Sequence, residues 1–277
     1  MNIEKVRQEY MKEGYTRANA IAKVCQDIIL NEIAKSVYFK NVTIKGGVVM
    51  HSISNDKRRA TRDIDLDFIK YSLDDDSIAR FIEKLNNNDD GITIKMEGKP
   101  VKLHHQDYDG KRVNVIVKDS YNNTMTTKLD IGVHKNFDIL QDEYCFDLNV
   151  INASATLFIN SVEQIFIEKL KSLLKFGALS TRYKDIFDFY YLINNTNIDK
   201  ERFNQYIEQI IYNDSEMKEK NIQDVENKLK ILFSNKIFIG NLKDARNNWL
   251  GIPIDEVLEN ILDFIQSLEK VQVTTNK

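Results

Sequence analysis

The residues best suited to chemistry are three aspartates on alternate positions, Asp63-Ile64-Asp65-Leu66-Asp67-Phe68. Read as a β-strand, the segment puts Asp63, Asp65 and Asp67 on one face and Ile64, Leu66 and Phe68 on the other. The apolar face can rest on a core. The carboxylate face gathers like charges, which repel unless a cation lies between them. A hard divalent ion such as Mg²⁺ suits that face, because it takes one or two carboxylates and fills its shell with substrate phosphates. A strand with a solvated acidic face is the other reading of the same pattern.

Upstream lies Gly46-Gly47, in a segment that reads as a short strand over 42–45, a glycine turn and a helix start. Glycines there let the backbone approach a ligand closely, and a helix N-terminus offers N–H groups to phosphate. Between the two motifs runs Lys57-Arg58-Arg59-Ala60-Thr61-Arg62. In an extended chain Arg59 and Thr61 share the face of Asp63, which makes them candidates for phosphate contact. The glycine pair, the helix-length gap, the basic run and the D-x-D strand together resemble the nucleotidyltransferase superfamily. In that superfamily the glycine turn holds a triphosphate and the D-x-D strand holds two metal ions. The resemblance implies a third carboxylate from a later, neighbouring strand. Asp130, in Lys128-Leu129-Asp130-Ile131-Gly132, has that place here.

Composition bounds the partners. The 277 residues suffice for one large domain or two ordinary ones, and 42% apolar content supports a core. With a net charge of −3 the chain lacks the basic footprint of a dedicated nucleic-acid binder, so any RNA contact must be a local patch. Cys25 and Cys145 are far apart and form neither a metal-ligand spacing nor a disulfide framework, which fits a reducing cytoplasm. The opening MNIEKVRQEY is charged from its fourth residue and has no signal-peptide core. No run approaches the roughly 18–20 apolar residues of a membrane span, so no membrane partner is expected.

The elements that must position these residues read as follows. Helices are expected at 3–13 and 16–36, with Gly14 between them and Thr16 as an N-cap. A helix follows Gly47 to about Ser54, and another spans 75–88. A strand over 91–97 ends in a turn at Gly98 and Pro100, residues 111–133 form a β-hairpin, and 142–150 form a strand. From Ser161 onward only helical periodicity remains. Ser161-Val162-Glu163-Gln164 matches a capping box that opens a helix over 162–176, with Gly177 as its natural stop. Further helices are expected at 183–194, 199–213, 215–234, 241–249 and 254–270. The fold class is therefore α+β: a mixed-sheet domain over 1–152 and an all-helical domain over 153–277.

The helical half holds a second set of candidates. Residues 169–184 carry Lys169, Lys171, Lys175, Arg182 and Lys184 and no acid, and Asp185 and Asp188 then share one helical face. A snorkelling basic surface is the plain alternative. Four blocks in this order resemble the AbiEii/AbiGii toxin family, whose relatives include MenT-type toxins. They are Lys45-Gly46-Gly47, Arg59-x-Thr61-x-Asp63-Ile64-Asp65-Leu66, Ile167-Glu168-Lys169-Leu170 and Arg182-x-Lys184-Asp185-x-x-Asp188.

The resemblance spans roughly residues 42–192. It implies a polymerase-β-like nucleotidyltransferase domain, a helical C-terminal domain, and the toxin role in a type IV toxin–antitoxin pair that defends against phage by abortive infection. It further implies that Asp63, Asp65 and Asp130 hold two Mg²⁺ ions, with Asp130 also a proton acceptor. Lys45, Gly46 and Gly47 would seat an NTP, Lys169 would pair with its β/γ-phosphates, and Arg59, Thr61, Arg182 and Lys184 would add phosphate or acceptor contacts. Asp185 would orient Lys169 or Lys184, or join in catalysis, and Asp188 would position its neighbours. The implied acceptor is the 3′ end of tRNA. A protein hydroxyl, a small molecule, or NTP binding without transfer remain open. A cognate antitoxin is implied, acting with or without direct contact.

Overall fold

Capping residues set the helix starts. Asn2 accepts from the Lys5 amide at the head of α1 (Ile3–Lys12), and Thr16 from the Asn19 amide at the head of α2 (Arg17–Lys35). The chain then runs through β1 (Val42–Lys45), α3 (Gly46–Ser54), a 3₁₀ turn over Lys57–Arg59 and β2 (Ile64–Phe68). There follow α4 (Asp75–Lys84), β3 (Thr93–Lys102), β4 (Lys111–Lys118), β5 (Thr124–Val133), β6 (Asp142–Leu148) and β7 (Ala153–Ile159). The computed structural model describes residues 1–86, 91–103, 110–136, 138–148 and 151–272. They fall into two compact units, Met1–Asn160 and Ser161–Lys277.

The described strands of the first unit form one mixed sheet in the order β3-β4-β5-β2-β1-β7-β6. β2 is antiparallel to β1 and parallel to β5, so the acidic strand lies between the glycine-turn strand and the strand of Asp130. Its apolar residues Ile64, Leu66 and Phe68 are fully buried. A one-residue slip would expose all three, at a cost of about 1.5–3 kcal/mol each, so the register of the aspartates is fixed by their neighbours. β4 and β5 form the expected hairpin. Asp119 holds its turn by accepting from the Tyr121 and Asn123 amides, and it also accepts from the Ile3 amide, which ties α1 to the hairpin.

Two strand expectations need correction. No turn forms at Gly98 and Pro100: β3 runs on to Lys102, with a register shift between Glu97 and Val101. Gly98 takes φ +75 at that irregularity, and β3 lies at the sheet edge, where a proline removes no needed hydrogen bond. β7 was not anticipated, so the first unit runs to Asn160 rather than 152. Ala155, Leu157 and Ile159 point inward, but the alternation is short and borders a helical sequence. Residues 87–88 of the expected helix and 149–150 of the expected strand lie outside the described residues.

The second unit comprises α5 (Val162–Phe176), α6 (Tyr183–Asn195), α7 (Lys200–Ile207) continued by a π turn over Glu208–Tyr212, α8 (Ile222–Phe233), α9 (Lys236–Leu242) and α10 (Ile254–Gln272). Ser161 caps α5 by accepting from the Gln164 amide, and Gly177, at φ +53, ends it. Phe166 centres an aromatic cluster, 4.4 Å from Phe189, 5.3 Å from Phe203 and 5.4 Å from Phe264 between ring centroids. Asn caps shift two expected helices. Asn221 starts α8 later than 215, and Asn235 starts α9 before 241, leaving turns where a helix over 241–249 was expected. Among the described residues, no helix is long and apolar enough to cross a membrane.

Candidate active site

Sheet register brings the first set together. Asp65 is the Cα partner of Asp130 on β5, of Lys45 on β1, and Asp130 in turn is the partner of Arg112 on β4. Partners in register point to the same face, so Arg112, Asp130, Asp65 and Lys45 form one row across four strands. Asp63 stands at the entry to β2, two residues before Asp65. The row carries two cations outside two anions.

Arg112 grips Asp130 with two nearly parallel bonds, Nε to Oδ1 at 2.7 Å and Nη2 to Oδ2 at 2.6 Å. The same Nη2 lies 3.7 Å from an Asp63 oxygen. The bonds it donates to Asp130, with the charges of Asp130, Asp63 and Asp65, hold the guanidinium firmly in its charged form. Asp67 leaves this group: its carboxylate is buried and takes the Lys45 ammonium at 2.7 Å. The Lys45 charge expected on phosphate is thus already engaged. Among the described residues, no three His, Cys, Asp or Glu side chains stand close enough to hold an ion as they lie. The carboxylates of Asp63 and Asp130 converge instead on Arg112.

The glycine turn is fitted to the same place. Gly46 adopts φ +66, and a Cβ there would run into the Asp65 carboxylate. A Cβ on Gly47 would come within 2.8 Å of the Thr61 side chain. Both positions thus demand glycine for close approach, and Gly46 for its backbone conformation as well. Lys45 has no acceptor with which to cap α3, so the first amides of that helix gain no bond from it. Farther along α3, His51 shares a 2.9 Å hydrogen bond with the Tyr15 hydroxyl. Arg59 departs from the extended arrangement expected of it. It closes the 3₁₀ turn over Lys57–Arg59 and is buried, while Thr61 packs beneath Gly47.

The second unit gathers its own set. Lys169 on α5 is buried and donates to Asp185 at 2.5 Å, with Asp188 at 3.0 Å. Arg182 comes within 3.8 Å of the other Asp185 oxygen, and Lys184 precedes Asp185 on α6. Asp188, fully buried, also accepts the indole N–H of Trp249 at 3.1 Å. The rest of the expected basic patch is neutralised. Lys171 pairs with Asp214 and Lys175 with Glu216, acids that lie far along the chain from the acid-free run.

Two residues escaped the sequence reading. Arg112 could have been found by pairing the 111–133 hairpin outward from its turn, which sets it opposite Asp130. Trp249 gave no local signal of its bond to Asp188.

Among solved structures the chain is similar to an antigenic nucleotidyltransferase-like protein from Paracoccidioides brasiliensis, at 15% identity and a TM-score of 0.45, over 80% of this chain and 92% of that one. No curated protein gives a significant match. Residues 28–256 match the family described as nucleotidyl transferase AbiEii toxin, type IV toxin–antitoxin system. That match takes in every candidate site residue of both units, and the chain belongs to the AbiEii family of nucleotidyltransferase toxins.

Proposed function

We propose that this nucleotidyltransferase moves a nucleotide from an NTP to the 3′ end of tRNA, blocking translation and growth in the cytoplasm as a defence against phage. The reading rests above all on Asp65, which is in register with Asp130 and packed against Gly46, in a chain of this toxin family. A type IV system implies an antitoxin as partner.

The residues fit Mg²⁺ in kind. Carboxylate oxygens are the ligands a hard cation takes, and this cluster already draws a cation, Arg112. Asp63, Asp65 and Asp130 would hold the metal. When bound, it neutralises triphosphate charge and favours in-line displacement. The protein's own part is positional. Gly46 and Gly47 present the first amides of α3 to phosphate, and Thr61 seats the turn from below. Lys169, Arg182 and Lys184 take nucleotide-binding and acceptor-binding roles, Asp185 orients Lys169 or joins in catalysis, and Asp188 holds Lys169 in place. Arg59, being buried, supports the turn rather than offering its charge to solvent.

A second reading, nucleotidylation of a protein or a small molecule, draws on one observation. Lys171 and Lys175, which RNA phosphate would need, are already ion-paired. Incubation with Mg²⁺, total RNA and each α-labelled NTP, beside an Asp65→Asn control, tests the proposal. Label in a tRNA-sized band with the wild type alone supports tRNA as acceptor and names the base. Label in protein or small molecules instead moves the acceptor to the second reading. Absence of label from every acceptor overturns both.

A further inference from the structure

We propose that Arg112 is an internal counter-cation, standing between Asp63 and Asp130 where a divalent ion would bind, and that it must leave them for the ion to enter. The inference rests on the reading of these carboxylates as ion ligands.

Three observations support it. First, one nitrogen of Arg112 serves two acids at once: Nη2 is 2.6 Å from Asp130 and 3.7 Å from Asp63. Second, the two partners differ in burial. The Asp130 side chain is 4% exposed and that of Arg112 is 35% exposed. A buried carboxylate is costly to leave without a cation beside it, whereas a part-exposed guanidinium on a long stem has solvent to move into. Third, the fork engages both Asp130 oxygens, so an incoming ion must compete with Arg112 for either of them.

The two cations exclude one another. A divalent ion and a guanidinium on the same carboxylate would lie within a few ångströms, where like charges repel strongly in a partly buried site. The ion must therefore displace Arg112, and its apparent affinity is reduced by the cost of breaking the fork. The device keeps Asp130 paired with a cation without metal. It also makes the site respond to anything that draws the guanidinium away, a triphosphate being the group with matching charge and geometry.

The test uses the full chain without nucleotide and Mn²⁺ alone as the probe, titrated calorimetrically and by electron paramagnetic resonance of the free ion. Arg112→Gln is expected to bind Mn²⁺ more tightly than the wild type, by roughly fivefold to a hundredfold, the usual range for coupled binding events. Arg112→Lys, which keeps the charge but loses the fork, is expected to fall between them. Its reading stands if the glutamine variant, with Asp130 buried and unpaired, fails to fold. Equal or weaker Mn²⁺ binding in the variants would overturn the proposal while leaving the metal reading intact. Absence of Mn²⁺ binding in wild type and variants alike would overturn both. A thermal melt gives an independent readout, because Mn²⁺ should raise the Tm of the variants more than that of the wild type.

Discussion

Asp65 and Asp130 are Cα partners in neighbouring parallel strands, so their carboxylates rise from one face of the sheet at adjacent positions. They come from separate parts of the chain, and only the parallel pairing of β2 with β5 makes them neighbours. Like charges side by side are costly unless a cation is held between them, which is the ground for proposing this pair as part of the active site. Asp65→Asn is expected to lower nucleotidyl transfer by at least about a thousandfold. Its thermal midpoint should stay within a few degrees of the wild type, because asparagine keeps the shape and relieves repulsion. Retained transfer in the radiolabel assay would remove Asp65 from the chemistry.

Gly46 offers a second handle, with a built-in control. Alanine there would drive its Cβ into the Asp65 carboxylate and also force a side chain into positive φ. Gly14 shares only the second problem: its φ is +104 and a Cβ would meet nothing within 4 Å. Each substitution is expected to cost about 1 kcal/mol or somewhat more for backbone strain. Only Gly46→Ala should abolish transfer. Denaturation curves and the transfer assay together separate the two effects, and an active Gly46→Ala enzyme would deny the turn its role.

Much of this arrangement is legible in the chain and some is not, for physical reasons. The alternation of Asp63 to Phe68, the Thr16 and Ser161 caps and the 111–133 hairpin are local signals, and each reappears in the fold. The Asp130 position followed from a resemblance, since no local rule places β5 beside β2. Charge neutralisation was invisible. The run from Lys169 to Lys184 contains no acid, yet Asp214 and Glu216 fold onto it, and Lys45 spends its charge on Asp67. Local charge density reports composition, while pairing is decided by tertiary contacts. Gly98 and Pro100 signal a turn locally, yet the edge strand β3 tolerates what a central strand would not.

In the second unit Asp188 joins Lys169 to Trp249. This fully buried carboxylate takes both the Lys169 ammonium and the Trp249 indole N–H, so neutralising it leaves the buried lysine to Asp185 alone and gives the indole a weaker acceptor. Asp188→Asn is expected to destabilise the second unit by about 1–3 kcal/mol, the cost of leaving buried polar groups poorly paired. Asp185→Asn should cost less, because Lys169 keeps Asp188. The chain has a single tryptophan, and Trp249 is buried, so its fluorescence during urea unfolding reports on this unit. Equal midpoints for the two variants would show that Asp188 is not the anchor.

His51 links the glycine turn to pH. It lies on α3 with Gly46 and Gly47 and shares a hydrogen bond with Tyr15, whose hydroxyl is pushed up to about 12 by burial and so stays protonated. Burial, aided by the charges of Lys23 and Arg59 and opposed by Asp56, pushes the imidazole down to about 4 from an ordinary value of 6.5. In the unfolded chain the ring takes its proton near 6.5; in the folded protein it does not until about 4. The unfolded state therefore binds more protons between those values, and stability falls with falling pH across that window, then levels off below it. The loss can reach about 3 kcal/mol. His51→Gln cannot titrate, so it should start less stable than the wild type near pH 7, having weakened the Tyr15 contact, and lose less on acidification. The two denaturation midpoints are expected to converge as pH drops toward 4. Parallel curves would show that another group carries the acid sensitivity, and that α3 holds the glycine turn without help from a neutral His51.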